Sequence, residues 1–221
     1  MSSRYLAFAD ILGRICICAY FMLAMVRRVF HASHIVSKDI WTAQDVLTLI
    51  SSAAGVLFLG MVCVVTVTRL PPIKPANGIE PYLTAMAGTF IIGQIGYLPE
   101  PVDLPLSIQI AATTLIVIGM GTSVYVLAWL GRAFSIMPEA RTLITGGPYS
   151  IVRHPLYLTE EIAMIGFIIL NLSVWSVSLG ILQWMLQLRR MTNEEHVLRA
   201  AFPGYDTYSG MVPRVIPIRP R

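Results

Sequence analysis

"HPLYLTEEIAMIGFIILNLSVWSVSLGILQWMLQLRR", residues 154–190, contains two apolar runs separated by a very short polar break. The runs cover residues 156–171 and 173–189, and the break falls at Asn171–Ser173. A helix needs roughly 20 apolar residues to cross a bilayer, and both runs are shorter than that. The pattern therefore predicts a tilted helical hairpin, which returns the chain to the membrane face from which it entered.

Four more apolar runs precede this hairpin, at residues 6–28, 45–68, 81–97 and 106–130. The chain is 56% hydrophobic and only 13% charged, with a mean hydropathy of +0.70. Soluble domains carry more charge than this, so the composition indicates an integral membrane protein. We expect an all-α, polytopic fold with about six transmembrane helices, within a range of five to seven.

Basic residues predict the orientation, because Lys and Arg are enriched in cytoplasmic loops. The 98–105 loop has acids and no base, so it should lie outside, whereas the 131–155 loop and the arginine-rich tail should be cytoplasmic. Counting back places 69–80 inside and 27–44 outside, although the latter carries Arg27, Arg28 and Lys38. The net charge of +4, gathered at segment ends, fits an anionic leaflet, so we expect no nucleic-acid partner.

The first apolar run carries two charged residues, Asp10 and Arg14, which we expect simply to lie in the headgroup region. Their spacing of four positions on one helix face would also allow an ion pair. The run also lacks a clear small-residue cleavage site. We therefore expect no cleavable signal peptide.

The stretch "GGPYSIVRHPLYLTEE", residues 146–161, places many polar and aromatic groups at one membrane boundary. Pro155 suits the first position of a helix, and Glu160 and Glu161 suit the positive end of the helix dipole. Helix-start chemistry does not explain the crowding of His154 and Tyr157 into the same turn. That crowding indicates a binding site.

A second polar cluster follows the hairpin, where Arg190 and Glu194 share one helix face. A surface ion pair at this spacing contributes only a few tenths of a kcal/mol. If the hairpin is antiparallel, however, residues near 154 and near 190 meet at the cytoplasmic surface. The two stretches then form one site, for which we expect no metal.

Together these residues resemble a known family. The pattern R-H-P-x-Y, then E-E-x-x-L-x-x-x-F-x-x-Y-x-x-Y and V-P, is similar to the isoprenylcysteine carboxyl methyltransferases and, more distantly, to the phospholipid N-methyltransferases. The resemblance covers roughly residues 130–217. It implies a catalytic region at 131–221, with a cofactor-binding loop, the hairpin and a polar C-terminal helix, preceded by transmembrane helices at 1–130 for scaffold and substrate access.

The resemblance also implies S-adenosylmethionine as methyl donor, with S-adenosylhomocysteine as product, bound at the cytosolic face. The family often has histidine where this chain has Arg141, so there the backbone contact is the one expected. The implied cofactor-binding residues are Arg141, Thr142, Leu143, Ile144, Tyr149, His154, Pro155, Leu156, Tyr157 and Glu194.

The predicted catalytic residues are Arg190, Arg153 and Glu195. Arg190 would orient an acceptor carboxylate, which is ionised at neutral pH and needs no base. An amine acceptor would need a base such as Glu194, Glu195 or His154. The sequence thus favours a carboxyl methyltransferase acting on a lipophilic, isoprenylcysteine-like substrate in contact with membrane lipid. The alternatives are a lipid-amine N-methyltransferase and a non-catalytic membrane binding or transport protein.

Overall fold

The computed structural model describes residues 3–91, 93 and 102–218. Within these ranges the chain forms seven α-helices: α1 Ser3–Val36, α2 Ala43–Thr68, α3 Glu80–Phe90, α4 Leu106–Leu130, α5 Pro155–Leu170, α6 Val174–Ala201 and α7 Tyr205–Met211. A two-residue antiparallel ribbon joins β1 (Lys74–Pro75) to β2 (Glu139–Ala140). The all-α expectation is confirmed. The predicted run 81–97 and the 98–105 loop lie partly outside the described residues.

Three of these helices are long and apolar enough to cross a membrane, which confirms a polytopic membrane fold. The spans are Asp10–Val36, Ala43–Thr68 and Leu106–Ala133. The first apolar run, whose uninterrupted apolar core is short, thus belongs to a helix of full membrane length. A capping box between Thr42 and Asp45 sets the start of α2.

The predicted hairpin is present, with α5 and α6 running antiparallel. Pro155 begins α5, and the capping residue Ser173 begins α6 after a short turn. Facing residues occur along the whole length of the pair: Ile168 with Gly180, Glu160 with Gln187, Tyr157 with Glu194, and His154 with Glu195. The start of α5 and the polar end of α6 therefore lie side by side.

An ion-pair cluster ties the start of α1 to the loop before α5. Asp10 pairs with Arg14 at 2.7 Å, the alternative that the sequence left open, and also with Arg69 at 2.6 Å and Arg141 at 3.2 Å. Arg141 also contacts Glu139 at 2.5 Å. These contacts place the start of α1, the end of α2 and the 131–155 loop at the same end of the bundle.

The ribbon and the tail meet at this end as well. The Lys74 ammonium donates to the carbonyl of Ala200 at 3.0 Å. The segments 69–80, 131–155 and the end of α6 therefore share one face, as the charge pattern predicted. That this face is cytoplasmic stays a prediction.

Close packing of α4 against α5 depends on two glycines. A Cβ atom at Gly119 would lie 2.7 Å from the carbonyl oxygen of Thr159, and one at Gly166 would lie 2.5 Å from that of Ala112. Backbone cannot move away as a flexible side chain can, so these positions accept only glycine. Small residues at helix contacts allow this approach in membrane proteins.

We expect Gly119→Ala to destabilise the protein by about 1–3 kcal/mol, because the new methyl group forces α4 and α5 apart. Gly121→Ala is the matched control on the same helix, since a Cβ there meets no atom within 4 Å. Thermal unfolding of the detergent-solubilised variants measures the difference. Equal unfolding temperatures for the two variants would contradict the close contact.

Candidate active site

The Arg153–His154 turn before α5 is fixed by the C-terminal tail. The backbone N–H of Arg153 donates to the carbonyl of Pro213 at 2.8 Å, and that of His154 donates to Arg214 at 3.0 Å. Pro155 follows, where a helix has no use for an N–H group. The V-P pair at 212–213 of the sequence pattern thus belongs to the tail segment that accepts these two hydrogen bonds and fixes the turn.

Glu195 of α6 forms a hydrogen bond with His154. A ring nitrogen of His154 lies 2.9 Å from Glu195 Oε1, which also contacts Arg214 at 3.1 Å and Arg153 at 3.4 Å. Burial alone would raise the pKa of Glu195, but the hydrogen bond and charge of His154 and the charges of both arginines outweigh it. The pKa of Glu195 is therefore below its ordinary value of 4.5.

Tyr157, on the first turn of α5, is the central aromatic residue of the site. Its hydroxyl donates to Glu194 Oε1 of α6. Its ring stacks on His154, with centroids 5.6 Å apart and planes at 23°, and the Arg190 guanidinium lies 5.1 Å from its centroid. An aromatic face, a carboxylate and a guanidinium thus meet at one point.

Arg190 is held by neutral groups. It donates to Gln187 Oε1 at 3.0 Å and to the carbonyl of Ile136 at 3.3 Å, while Gln187 donates to Glu160 at 3.2 Å. Glu194 bonds to Tyr157 across the hairpin. Arg190 and Glu194, four positions apart on α6, thus both contact Tyr157 of α5.

The loop before α5 forms another wall. Gly147 has φ +58°, and a Cβ there would lie 2.5 Å from the Trp129 ring. Gly147, the second residue of the stretch 146–161, thus lets the backbone approach an indole ring. Tyr208 of α7 donates to the carbonyl of Tyr149 at 2.7 Å, and burial raises the pKa of Tyr208 to about 12, so its hydroxyl stays protonated at neutral pH.

A cavity of about 380 Å³ connects these walls to the middle of the bundle. Its polar end is formed by the two hairpin ends and the loop, and its other end by apolar side chains of α1, α2, α4 and α5. Several buried polar atoms that line it have no hydrogen-bond partner among the described residues: Glu161 Oε1, Gln183 Oε1, Arg153 Nε and Arg190 Nε. Such unsatisfied groups fit a polar ligand.

Most of the predicted site residues line this cavity: Arg141, Thr142, Leu143, Ile144, Tyr149, Arg153, His154, Leu156, Tyr157, Arg190 and Glu194. The Arg141 guanidinium is held by Asp10 and Glu139, so a cofactor contact from this residue would come from its backbone. Pro155 and Glu195 lie behind the lining. The catalytic role of Glu195 stays a prediction, and its contacts are those of a residue that positions His154.

Sequence reasoning assigned Glu160 and Glu161 to the helix dipole, yet both line the cavity, as do Gln183 and Gln187 of α6. Their spacing carried a signal, because Tyr157, Glu160 and Glu161 lie three and four positions apart and so share a helix face. Within the described ranges, no group of three or more His, Cys, Asp or Glu residues has the arrangement of a metal site.

Residues 108–204, from α4 to just past α6, match the phospholipid methyltransferase family. This family belongs to the broader group of integral-membrane methyltransferases. The match therefore indicates the class of enzyme and does not identify the methyl acceptor. It covers less than half of the chain.

Two curated proteins show sequence similarity to this chain. The nickel-cobalt-cadmium resistance protein NccN of Alcaligenes xylosoxydans xylosoxydans is 30% identical over 109 residues, 48% of this chain and 51% of that protein. The cobalt-zinc-cadmium resistance protein CzcN of Cupriavidus metallidurans is 30% identical over 96 residues, which are 41% of this chain and 44% of that protein. The chain thus spans about half the length of the curated relatives it matches.

Glu195→Gln should lower stability by about 1–3 kcal/mol at pH 7, because it removes the charge that binds His154 and two arginines. Since folding lowers the pKa of Glu195, its ionised form stabilises the protein above pH 4.5, and this stabilisation is lost as the pH falls through the lower folded pKa. Thermal unfolding between pH 7 and pH 3 should show the parent and the variant converging below about pH 4.5. A difference independent of pH would contradict the ionised contact.

The control variant is Asp206→Asn, which breaks the exposed ion pair with Arg199. Exposed pairs contribute little, so its unfolding temperature should stay close to that of the parent at every pH.

Proposed function

We propose that this chain is an integral-membrane methyltransferase that uses S-adenosylmethionine to methylate a lipophilic acceptor, most favourably a carboxylate. The observation that carries the proposal is the single cavity in which Tyr157, Glu194 and Arg190 meet and which continues into the apolar bundle. A water-soluble donor suits the polar end, and a lipid-borne acceptor suits the apolar end.

The polar end supplies groups that complement the donor. Tyrosine faces favour a sulfonium cation by about 0.5–2 kcal/mol each, and Tyr149 and Tyr157 both line the cavity. Glu194 offers acceptor oxygens and a negative charge, and the backbone of Thr142–Ile144 lies beside it in the lining. Tyr157 and His154 fix each other by stacking, and Glu195 fixes His154. The buried polar atoms without partners are consistent with this ligand.

Bound S-adenosylmethionine supplies an already activated methyl group, so the protein contributes alignment and electrostatics. Arg190 lines the cavity over the Tyr157 ring and is held there by Gln187 and the Ile136 carbonyl. There it can orient an acceptor carboxylate. As an acceptor oxygen bonds to the methyl carbon, the carbon–sulfur bond breaks and its electron pair stays on sulfur; a neutral ester forms and no proton is released.

A lipid amine is the second candidate acceptor, which Glu160 and Glu161 in the cavity lining would suit. Amine methylation releases a proton, which a carboxylate near the acceptor can take. A non-catalytic binding or transport role for the fold is the remaining alternative from the sequence.

S-adenosylhomocysteine should raise the unfolding temperature of the detergent-solubilised protein. Glu194→Gln should weaken its binding about tenfold or more, because a charge-assisted hydrogen bond is lost. Glu80→Gln is the matched control, since Glu80 lies outside the cavity lining and pairs with Arg189. No stabilisation by millimolar ligand, or equal binding by both variants, would contradict the proposed site.

Arg190→Ala should leave S-adenosylhomocysteine binding unchanged and lower kcat by about two orders of magnitude, because the acceptor loses its orienting group. Arg189→Ala, at the neighbouring and exposed arginine, is the control and should retain turnover. Initial rates with tritium-labelled donor measure both variants. Normal turnover of Arg190→Ala would remove Arg190 from the acceptor site.

The chemistry of the product distinguishes the two acceptors. Label transferred to membrane lipids or to a lipophilic acid should be released by mild base, as expected for a methyl ester. Label that resists base would contradict the carboxylate acceptor and support the amine.

A further inference from the structure

A fourth arginine, Arg28 of α1, is half-buried and lines the same cavity, as do Arg141, Arg153 and Arg190. It lies against Gly55, which is 12 residues from the start of α2 and 13 from its end. At 1.5 Å per residue the guanidinium is about 18–20 Å from either end of that helix, near the middle of the membrane. A charge at this depth is costly and usually faces a functional cavity.

The contacts of Arg28 leave its donors unused. Its guanidinium lies 5.9 Å from the Phe167 ring centroid, and it forms no hydrogen bond or ion pair with the residues that the structure describes. A guanidinium has five N–H donors, which a cation–π contact does not satisfy. Gln183, only 5% exposed, lines the same cavity with its Oε1 also unpartnered within the described chain.

Gly55 provides the space for this guanidinium. A Cβ atom at position 55 would lie 3.0 Å from Nη1 of Arg28 and 3.1 Å from its Cζ. Even alanine would therefore crowd the guanidinium, which would have to shift by a few tenths of an ångström. Arg28 takes this position because residue 55 of α2 has no side chain. A substitution at position 55 can therefore move the guanidinium without removing its charge.

Arg190 and Arg28 are separated by a distance that α5 measures. Arg190 lies over Tyr157 and Arg28 lies over Phe167, two rings ten residues apart on α5. Ten residues of α-helix correspond to about 15 Å. Apolar side chains such as Met164 and Ala163 line the cavity between them. The cavity thus has a cation at each end of a stretch that carries these apolar side chains and, nearer Arg190, the carboxyl groups of Glu160 and Glu161.

We propose that Arg28 binds an anionic, oxygen-bearing group at the far end of the acceptor, about 15 Å from the group that is methylated. This inference rests on the proposed function, since it extends the acceptor from Arg190 toward Arg28. A plain hydrocarbon tail accepts no hydrogen bonds and would leave the guanidinium unpaired, which is costly in an apolar surrounding. The substrate class is therefore a lipophilic acid with a second polar terminus.

The test uses dodecanedioic acid and dodecanoic acid, which share one carboxylate and differ in the second. Equilibrium dialysis measures their binding to the full chain in phosphatidylcholine nanodiscs with S-adenosylhomocysteine present, after subtraction of empty nanodiscs. We expect the diacid to bind the parent at least tenfold more tightly than the monoacid, because one end gains charge-assisted hydrogen bonds. Arg28→Met should abolish this preference and leave the monoacid affinity unchanged.

Two further variants separate the role of Arg28 from folding. Gly55→Ala keeps the charge but displaces the guanidinium, so it should reduce the diacid preference about threefold or more. Arg27→Met, at an adjacent residue outside the cavity lining, should retain it. Equal binding of the two acids to the parent, absence of binding by both, or an unchanged preference in Arg28→Met and Gly55→Ala would overturn the subsite.

The same samples distinguish failure of the Arg28 subsite from failure of the proposed methyltransferase function. Stabilisation by S-adenosylhomocysteine without any preference for the diacid would overturn the Arg28 subsite alone. Absence of stabilisation in the parent would overturn the methyltransferase itself.

Discussion

The antiparallel packing of α5 against α6 is the constraint on which the site depends. A three-residue connection leaves the two helices little freedom to slide, and contacts from Ile168–Gly180 to His154–Glu195 keep one register throughout. Because of this register, residues that are far apart in sequence face each other at the open end of the hairpin. The Tyr157–Glu194 hydrogen bond closes that end.

Polar groups in this membrane domain are organised into two separate sets. One set, built around Asp10, consists of ion pairs that join α1 and α2 to the loop before α5, although Arg69 and Arg141 each keep two guanidinium nitrogens without a hydrogen-bond partner among the described residues. The other set faces the cavity and retains unpartnered atoms, including Arg190 Nε and Glu161 Oε1 within the described residues. Buried polar groups are costly unless they are paired. The first set is therefore held together mainly by its own ion pairs, whereas the second surrounds a cavity that suits a ligand.

The sequence predicted the hairpin, its turn at Asn171–Ser173 and the meeting of His154 with the Arg190 region, because apolar run length and short connections limit the topology strongly. It missed the depth of the cavity. Carboxylates near the start of a helix, such as those of Glu160 and Glu161, interact favourably with the helix dipole whichever way the side chains face. The sequence alone therefore left their orientation open. Arg28 appeared as a misplaced loop charge, since only the packing of α1 on Gly55 reveals it inside the bundle.

Photoaffinity labelling with an azido derivative of S-adenosylmethionine, followed by peptide mapping, tests the single chamber most directly. Because the loop at 142–157 and the polar end of α6 at 190–198 form facing walls, both peptides should be labelled. Excess S-adenosylhomocysteine should suppress both labels together. Labelling confined to one of the two segments, or labelling of neither, would contradict a cofactor chamber formed between the ends of the hairpin.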